Sequence, residues 1–227
     1  MSTTKDFQGL TPLVTGSSNG IGAEAAVQLA ERGARVLIQY NRGKAEAENV
    51  LERVRKAGSD GAIYFGEFAT AAGVREFLTA VGDVRVDILV NNAGSLVRRK
   101  PFLEFTEEHW DEVMTLNLKS AYMVTQHFLP GMVERGRGVV VNVTSIAARN
   151  GGGPGAIAYA TSKGALSSMT KGLSKEFAPK GIRINAVSPG TITTNFHKVF
   201  STEPMLDAVR AATPAGRLGT SEETAEV

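Results

Sequence analysis

Leu13-Val14-Thr15-Gly16-Ser17-Ser18-Asn19-Gly20-Ile21-Gly22 decides how the rest of the chain is read. A short apolar run ends in glycines spaced Gly-x-x-x-Gly-x-Gly, and an amphipathic stretch, residues 23–32, follows and closes at Gly33. A strand, a glycine turn and a helix N-terminus together form an anion site. Bare glycines let the backbone approach a pyrophosphate, and the positive end of the helix favours its charge. A glycine triplet alone is usually a tight turn; between a strand and a helix it favours a dinucleotide. The candidate phosphate-binding residues are therefore Gly16, Ser17, Ser18, Asn19, Gly20, Ile21 and Gly22.

Five more apolar runs lie downstream, at residues 34–38, 62–65, 86–90, 139–143 and 182–187, with longer amphipathic stretches between them. Strands joined by helices imply parallel pairing with right-handed crossovers, and runs apolar on both faces suit a sheet covered on each side. The expected fold is α/β: a three-layer, doubly wound parallel sheet of the Rossmann type in a single domain over residues 1–227. Pro12 cannot donate to a ladder, so it is placed at the first residue of its strand. Helices are expected over residues 44–56, over 106–133 as one long helix or two halves, and over about 156–178.

Composition excludes several classes. A net charge of +2 asks for no nucleic-acid or membrane partner, and no apolar run reaches the roughly 18 residues of a membrane helix. Without cysteine there are no disulfides and no thiolate chemistry. His109, His127 and His197 stand far apart, so no metal site is expected. The polar stretch Met1–Gly9 lacks the apolar core of a signal peptide, and the expected compartment is the cytoplasm.

About 20 residues past the glycine turn, an NAD site usually places an acid against the ribose 2′-hydroxyl. Here the second run ends in Gln39-Tyr40-Asn41-Arg42. An arginine pairs with a 2′-phosphate that an acid would repel, so Tyr40, Asn41 and Arg42 favour NADP(H) over NAD(H). The plainer reading of Arg42 is a solvated loop residue. After the fourth run, Asn91, Ala93 and Gly94 are small enough to let a flat ring lie on the backbone. After the sixth, Pro189, Gly190, Ile192 and Thr194 are candidates for holding a carboxamide and phosphates.

Tyr159 and Lys163 stand four apart, one above the other on a helix face. An ammonium beside a phenol favours the phenolate, so the tyrosine pKa is expected below about 10. Ser145 ends the fifth run, and Asn117, a poor helix-interior residue, lies mid-helix as a carboxamide for a water or a backbone group. Gly16, Asn91, Ser145 and Pro189-Gly190 all follow apolar runs, which puts them at one edge of one sheet and in one cleft. Arg98-Arg99-Lys100 reads first as a solvated run, and alternatively as a docking patch for an acidic carrier or a phosphorylated substrate. Residues 195–219 show no strong period and suit a mobile substrate lid. Small residues between 160 and 167 leave a subunit contact and an intramolecular one equally open. Thr220-Ser-Glu-Glu223 opens a helix that has little room before Val227, so the chain looks cut short.

Taken together and in this order, Thr-Gly-x-x-x-Gly-x-Gly, Asn-Asn-Ala-Gly, Ser, Tyr-x-x-x-Lys and Pro-Gly resemble the short-chain dehydrogenases/reductases, and within them the 3-oxoacyl-[acyl-carrier-protein] reductase-like group. The resemblance implies a sheet usually of seven strands, the last of them absent here. It also implies a tetrad on Asn117, Ser145, Tyr159 and Lys163, with the substrate at Ser145 and Tyr159. The implied reaction moves a hydride between nicotinamide and a ketone or secondary alcohol: a 3-oxoacyl thioester, a sugar or polyol, or a steroid. A homo-oligomer, dimer or tetramer, is implied as well. Glu67 stands where the family usually has an aspartate near the adenine. A non-catalytic NADP(H)-binding redox sensor is the alternative of another class.

Overall fold

The computed structural model describes residues 5–227, so the first four residues of the polar N-terminal stretch lie outside it. Six parallel strands form one sheet in the order β3-β2-β1-β4-β5-β6. They are β1 (Pro12–Val14), β2 (Val36–Tyr40), β3 (Gly61–Phe65), β4 (Ile88–Asn91), β5 (Gly138–Val143) and β6 (Ile182–Val187). Each coincides with one of the apolar runs, and Pro12 is the first residue of its strand. The order reverses between β1 and β4, and it is outside this switch point that open α/β sheets bind ligands.

Alternation along the strands sets the layers. Leu13, Leu37, Leu89 and Val140 face helices α3 (Ala71–Val81) and α5 (Ser120–Glu134), where Phe77, Val124, Phe128 and Met132 fill the core. Val14, Val36 and Ile38 face the other way, onto α1 (Gly20–Glu31) and α2 (Lys44–Lys56), through Ala26, Ala30, Val50 and Val54. The sheet therefore buries both faces, as runs without polar alternation require.

The expected helix over residues 106–133 is one continuous rod with a defect. α4 (Glu107–Met114) starts with the Thr106 hydroxyl accepting from the His109 N–H. It passes through a π turn at Thr115–Lys119 into α5, and Asn117 sits in that turn. A helix-poor residue thus falls where the helix is already distorted, as π-bulges at functional sites tend to do.

The sequence leaves two features open. The segment past residue 194 is helical: α8 (Asn195–Phe200) and α9 (Glu203–Ala212), following the short α6 (Ala147–Asn150) and long α7 (Ile157–Phe177). Six residues are too few to show a period, and α9 carries Pro204 in its first turn, where a proline is tolerated. Among the small residues of α7, Ala160 and Ser162 are buried inside the monomer, so that part of the stripe makes an intramolecular contact. The last helix, α10 (Ser221–Ala225), opens with the full capping box of Thr220 and Glu223. Among the described residues, no helix is long and apolar enough to cross a membrane.

Candidate active site

The glycine turn after β1 is locked to the turn after β4. The Thr15 hydroxyl donates to the Val90 carbonyl (3.3 Å) and accepts from the N–H groups of Asn92 (3.0 Å) and Ala93 (3.0 Å). In return the Asn92 amide donates to the carbonyls of Thr15 (2.9 Å) and Gly16 (3.0 Å). The turns are so close that a Cβ on Gly16 would lie 2.8 Å from the Ala93 Cα, and one on Gly22 would lie 2.5 Å from the Asn92 amide nitrogen. Gly16 also has φ +62°, a conformation other residues resist. Gln39, fully buried, accepts from the Gly16 N–H (2.7 Å) and donates to the Gly66 carbonyl (2.9 Å), tying the turn to the ends of two further strands.

The first N–H groups of α1 carry no side-chain cap from Asn19. These orphan donors, over bare glycines, fit a pyrophosphate. They open into a cleft of about 820 Å³, at the roomy end of the range for small-molecule sites, about 300–1,000 Å³. Gly16, Ser18, Asn19, Gly20 and Ile21 line it on the phosphate side, and Asn41 and Arg42 stand beyond them at the end of β2. Ala93, Gly94, Ser145, Tyr159 and Lys163 form the far wall, and Pro189, Gly190, Ile192 and Thr194 the rim.

Five of the expected residues do not line the cleft. Ser17 and Gly22 are buried behind it, Ser17 donating to the Val14 carbonyl (2.7 Å). Tyr40 turns to the other face of its strand and packs edge-on against Phe65, ring centres 6.0 Å apart, since strand side chains alternate. Asn91 points into the molecule, donating to Thr125 (2.9 Å) and to Asn142 (2.9 Å), which donates to Thr170 on α7 (2.9 Å). Their part is to hold the scaffold: this buried chain of amides and hydroxyls ties α5, β4, β5 and α7 together. Asn117 is buried too. Its carboxamide accepts from the Ser95 N–H (3.0 Å) and donates to the carbonyls of Ser95 (2.8 Å) and Val113 (2.8 Å). Of the two partners expected for it, a water or a backbone group, it has the backbone. Glu67 is likewise spent locally, accepting from Asn41 (3.0 Å) and from the Ala69 N–H (2.9 Å).

Lys163 reaches into the cleft wall from α7, only 2% exposed, and donates to the Val143 carbonyl (2.7 Å). Its amine passes 5.8 Å from the centre of the Tyr159 ring. The electrostatics differ from the sequence expectation. Burial pushes the Tyr159 phenol above its ordinary 10, while the hydroxyl of Ser145 beside it pulls the other way. The amine does not lower it, because burial has brought Lys163 itself down from 10.5 to about 8, halving its charge near that pH. Phe196, on α8, supplies part of the cover, its ring centre 5.7 Å from that of Tyr159. Sequence reasoning missed Phe196, Gln39, Asn92 and Thr15. The first belongs to a segment without period. The other three follow or end apolar runs, where the sequence does not say which side chain bonds across the turns.

The lysine gives a test of its own. Between about pH 8 and 10.5 the unfolded chain keeps a proton that folded Lys163 has released, so stability should rise with pH there. Above 10 the raised Tyr159 acts in the opposite sense, because the unfolded phenol ionises first. Denaturant titrations from pH 8 to 10 should show the wild type gaining on the order of 2 kcal/mol relative to Lys163→Met. Parallel profiles would mean that the buried amine keeps its full charge.

Similarity to known proteins follows the same site. The family described as short chain dehydrogenase matches residues 11–204. The 3-oxoacyl-[acyl-carrier-protein] reductase FabG of Aquifex aeolicus is 37% identical, over 97% of this chain and 89% of its own length. A gluconate 5-dehydrogenase from Burkholderia cenocepacia, solved with NADP and tartrate, superposes with a TM-score of 0.87 at 32% identity, covering 99% of this chain and 88% of that one. An NADH-dependent reductase, A1-R′, solved with NAD, superposes with a TM-score of 0.84 at 33% identity over 98% and 88%.

Proposed function

The chain belongs to the short-chain dehydrogenases, oxidoreductases acting on CH–OH groups, and from that premise we propose that it interconverts a ketone and a secondary alcohol with NADP(H), Tyr159 exchanging the proton. The observation that carries this is the shared cleft: Ser145, Tyr159 and Lys163 stand on one wall of the space into which the glycine turn and the bare α1 N-terminus open.

Bound there, the nicotinamide supplies or accepts the hydride. In reduction, the hydroxyls of Ser145 and Tyr159 hydrogen-bond the substrate oxygen, and Tyr159 passes its proton to the alkoxide as the carbon is reduced. A phenol held above its ordinary pKa is fully protonated at pH 7, which is the form a proton donor needs. Lys163 lies next to the resulting phenolate, can return a proton to it, and can hold the ribose hydroxyls. With the Asn117 carboxamide fully bonded to backbone, its part is to set the floor under Gly94 and Lys163. A water connecting Lys163 to solvent would rest on main-chain carbonyls of the π turn, where the regular ladder is broken. The hydroxyls act where negative charge develops, which is where they lower the barrier most. Helices α8 and α9 serve as the substrate lid, with Phe196, Met205 and Val209 facing the cleft.

The preference for NADP(H) rests on Arg42, exposed at the adenine end with no carboxylate facing the cleft there. Arg42→Asp should raise the KM for NADPH at least tenfold, a loss of about 1.4 kcal/mol of a charge-assisted contact, while changing that for NADH little. Equal effects on both would assign Arg42 to solvent. We also propose a homo-oligomer, on the strength of Tyr122 and Ile157 exposed on α5 and α7. The experiment that tests the whole reading is a panel of ketones and alcohols followed at 340 nm, with NADPH and NADH side by side. No turnover of any member, with both cofactors bound, would leave the redox-sensor reading in its place.

A further inference from the structure

The basic run Arg98-Arg99-Lys100 does not act as a unit. Arg98 pairs with Glu112 (2.5 Å) and Lys100 with Glu104 (3.6 Å), both in solvent. Arg99 alone turns inward and lines the cleft. A tight γ-turn aims it: the Arg98 N–H donates to the Leu96 carbonyl (2.7 Å) across Val97, whose φ is +62°. For a β-branched residue that is a strained backbone, costing on the order of 1–3 kcal/mol and persisting only where the surroundings enforce it.

The surroundings of Arg99 are built for it. Its stem crosses Gly155, where a Cβ would lie 2.7 Å from the Arg99 Cγ. Nε donates to the Phe200 carbonyl (3.0 Å) and Nη1 to the Pro154 carbonyl. Two of the five guanidinium donors are thereby used. Nη2 has no hydrogen-bond partner among the described residues, and no carboxylate pairs with the group.

The charge balance of the cleft singles the group out. Its lining carries three cationic side chains, Arg42, Arg99 and Lys163, and no aspartate or glutamate. Under the function proposed above, Arg42 meets the 2′-phosphate and Lys163 the ribose, which leaves Arg99 for the substrate. It stands among Gly153, Pro154, Phe200 and His197, at the lid. His197 adds no second charge near neutral pH. Burial, and then the charge of Arg99, hold its pKa below 6.5, and its Nδ1 lies 2.8 Å from the Ser201 hydroxyl. One guanidinium among neutral neighbours balances one negative charge. A carboxylate group matches it; a phosphate dianion would put two charges on that one edge, which the separated carboxylates of a diacid do not.

Building on that function, we propose that Arg99 receives the carboxylate of the substrate, which makes the substrate an oxo or hydroxy acid rather than a neutral ketone or a thioester. The unpaired Nη2 edge binds the acid, and the two carbonyl bonds fix the guanidinium in place beforehand, so little is lost in ordering it.

The test uses the NADP⁺-saturated enzyme and calorimetric titration with tartrate, with threitol (the same carbon skeleton without charge) and with inorganic phosphate. The saturated cofactor site keeps phosphate away from Arg42. Wild type should bind tartrate at least tenfold more tightly than threitol or phosphate. Arg99→Gln should erase that preference and leave threitol unchanged, and Arg99→Lys, which keeps the charge, should restore part of it. Three outcomes overturn the proposal: tartrate no tighter than threitol, phosphate tighter than tartrate, or Arg99→Gln weakening tartrate and threitol alike. The last would make Arg99 only a clasp between the two loops. Failure of NADP⁺ to bind would overturn the functional reading itself, and this proposal with it. Tight, Arg99-dependent tartrate binding without turnover of any oxo acid would overturn the catalytic reading alone.

Discussion

Tyr159→Phe is expected to lower kcat/KM by about 10²–10⁴-fold, the usual contribution of a positioned proton donor, and to leave NADPH binding within about threefold of wild type. The substitution removes one oxygen from a ring that otherwise stays where it is, against Phe196 and above the Lys163 amine. The fold should not suffer. The partner lost is the Ser145 hydroxyl, and a phenyl ring fills the same space. A variant that melts near the wild-type temperature, binds NADPH by fluorescence titration and turns over substrate about a hundredfold or more slowly is the expected result. Turnover within tenfold of wild type would move the proton donor elsewhere in the cleft.

Much of this fold is legible in the sequence because the sheet is parallel and covered on both sides. Each strand is then a short continuous apolar run, and each return a stretch with helical period, so Val139–Val143 and Lys44–Lys56 declare themselves from a few residues. The α8–α9 segment does not, for a physical reason. Its helices are short, its apolar residues (Phe196, Met205, Leu206, Val209) face a cleft rather than a core, and a cleft imposes no regular stripe. The π turn at Asn117 is equally silent. A one-residue shift in the ladder leaves the composition of a helix as it was, and only the poor helix-former at its centre marks the place.

The site was legible as a set of positions more than as a set of interactions. Motifs at strand ends brought Gly16, Ser145, Tyr159 and Gly190 to one cleft. Which way each side chain turns there depends on strand alternation and on partners distant in sequence. Tyr40 and Asn91 sit at the right strand ends and point away from the cleft. Arg99 reads as one of three solvated cations until the Val97 turn gives it a direction. The phenol is the sharpest case. Spacing puts an amine beside it and suggests a lowered pKa. Burial acts on both partners, raising the acid and lowering the base, and that desolvation outweighs their attraction.

Gly94→Ala tests whether Lys163 acts from the position it holds. An added Cβ would lie 2.6 Å from the Asn117 Oδ1 and 2.9 Å from the Lys163 Nζ, and no unstrained Cβ approaches atoms so closely. Asn117 cannot retreat, because its amide is held at 3.0, 2.8 and 2.8 Å by Ser95 and Val113. The lysine can, since its end is flexible, but only by leaving the Val143 carbonyl at 2.7 Å. The amine is therefore displaced, and the contact with the held Asn117 is relieved only by a shift of the Gly94 backbone, which costs stability. Misplacing a catalytic group by about 1 Å is worth roughly 10²-fold in rate, so kcat should fall by about that factor, and the melting temperature should fall with it. The pH dependence of stability should also flatten between 8 and 10, because an amine pushed toward solvent recovers its ordinary pKa. These two readouts separate displacement of the lysine from simple obstruction of the cofactor. Obstruction would raise the KM for NADPH, leave kcat at saturation intact and keep the pH slope of the wild type. That pattern would show that Gly94 is needed only for the space it leaves in the cleft.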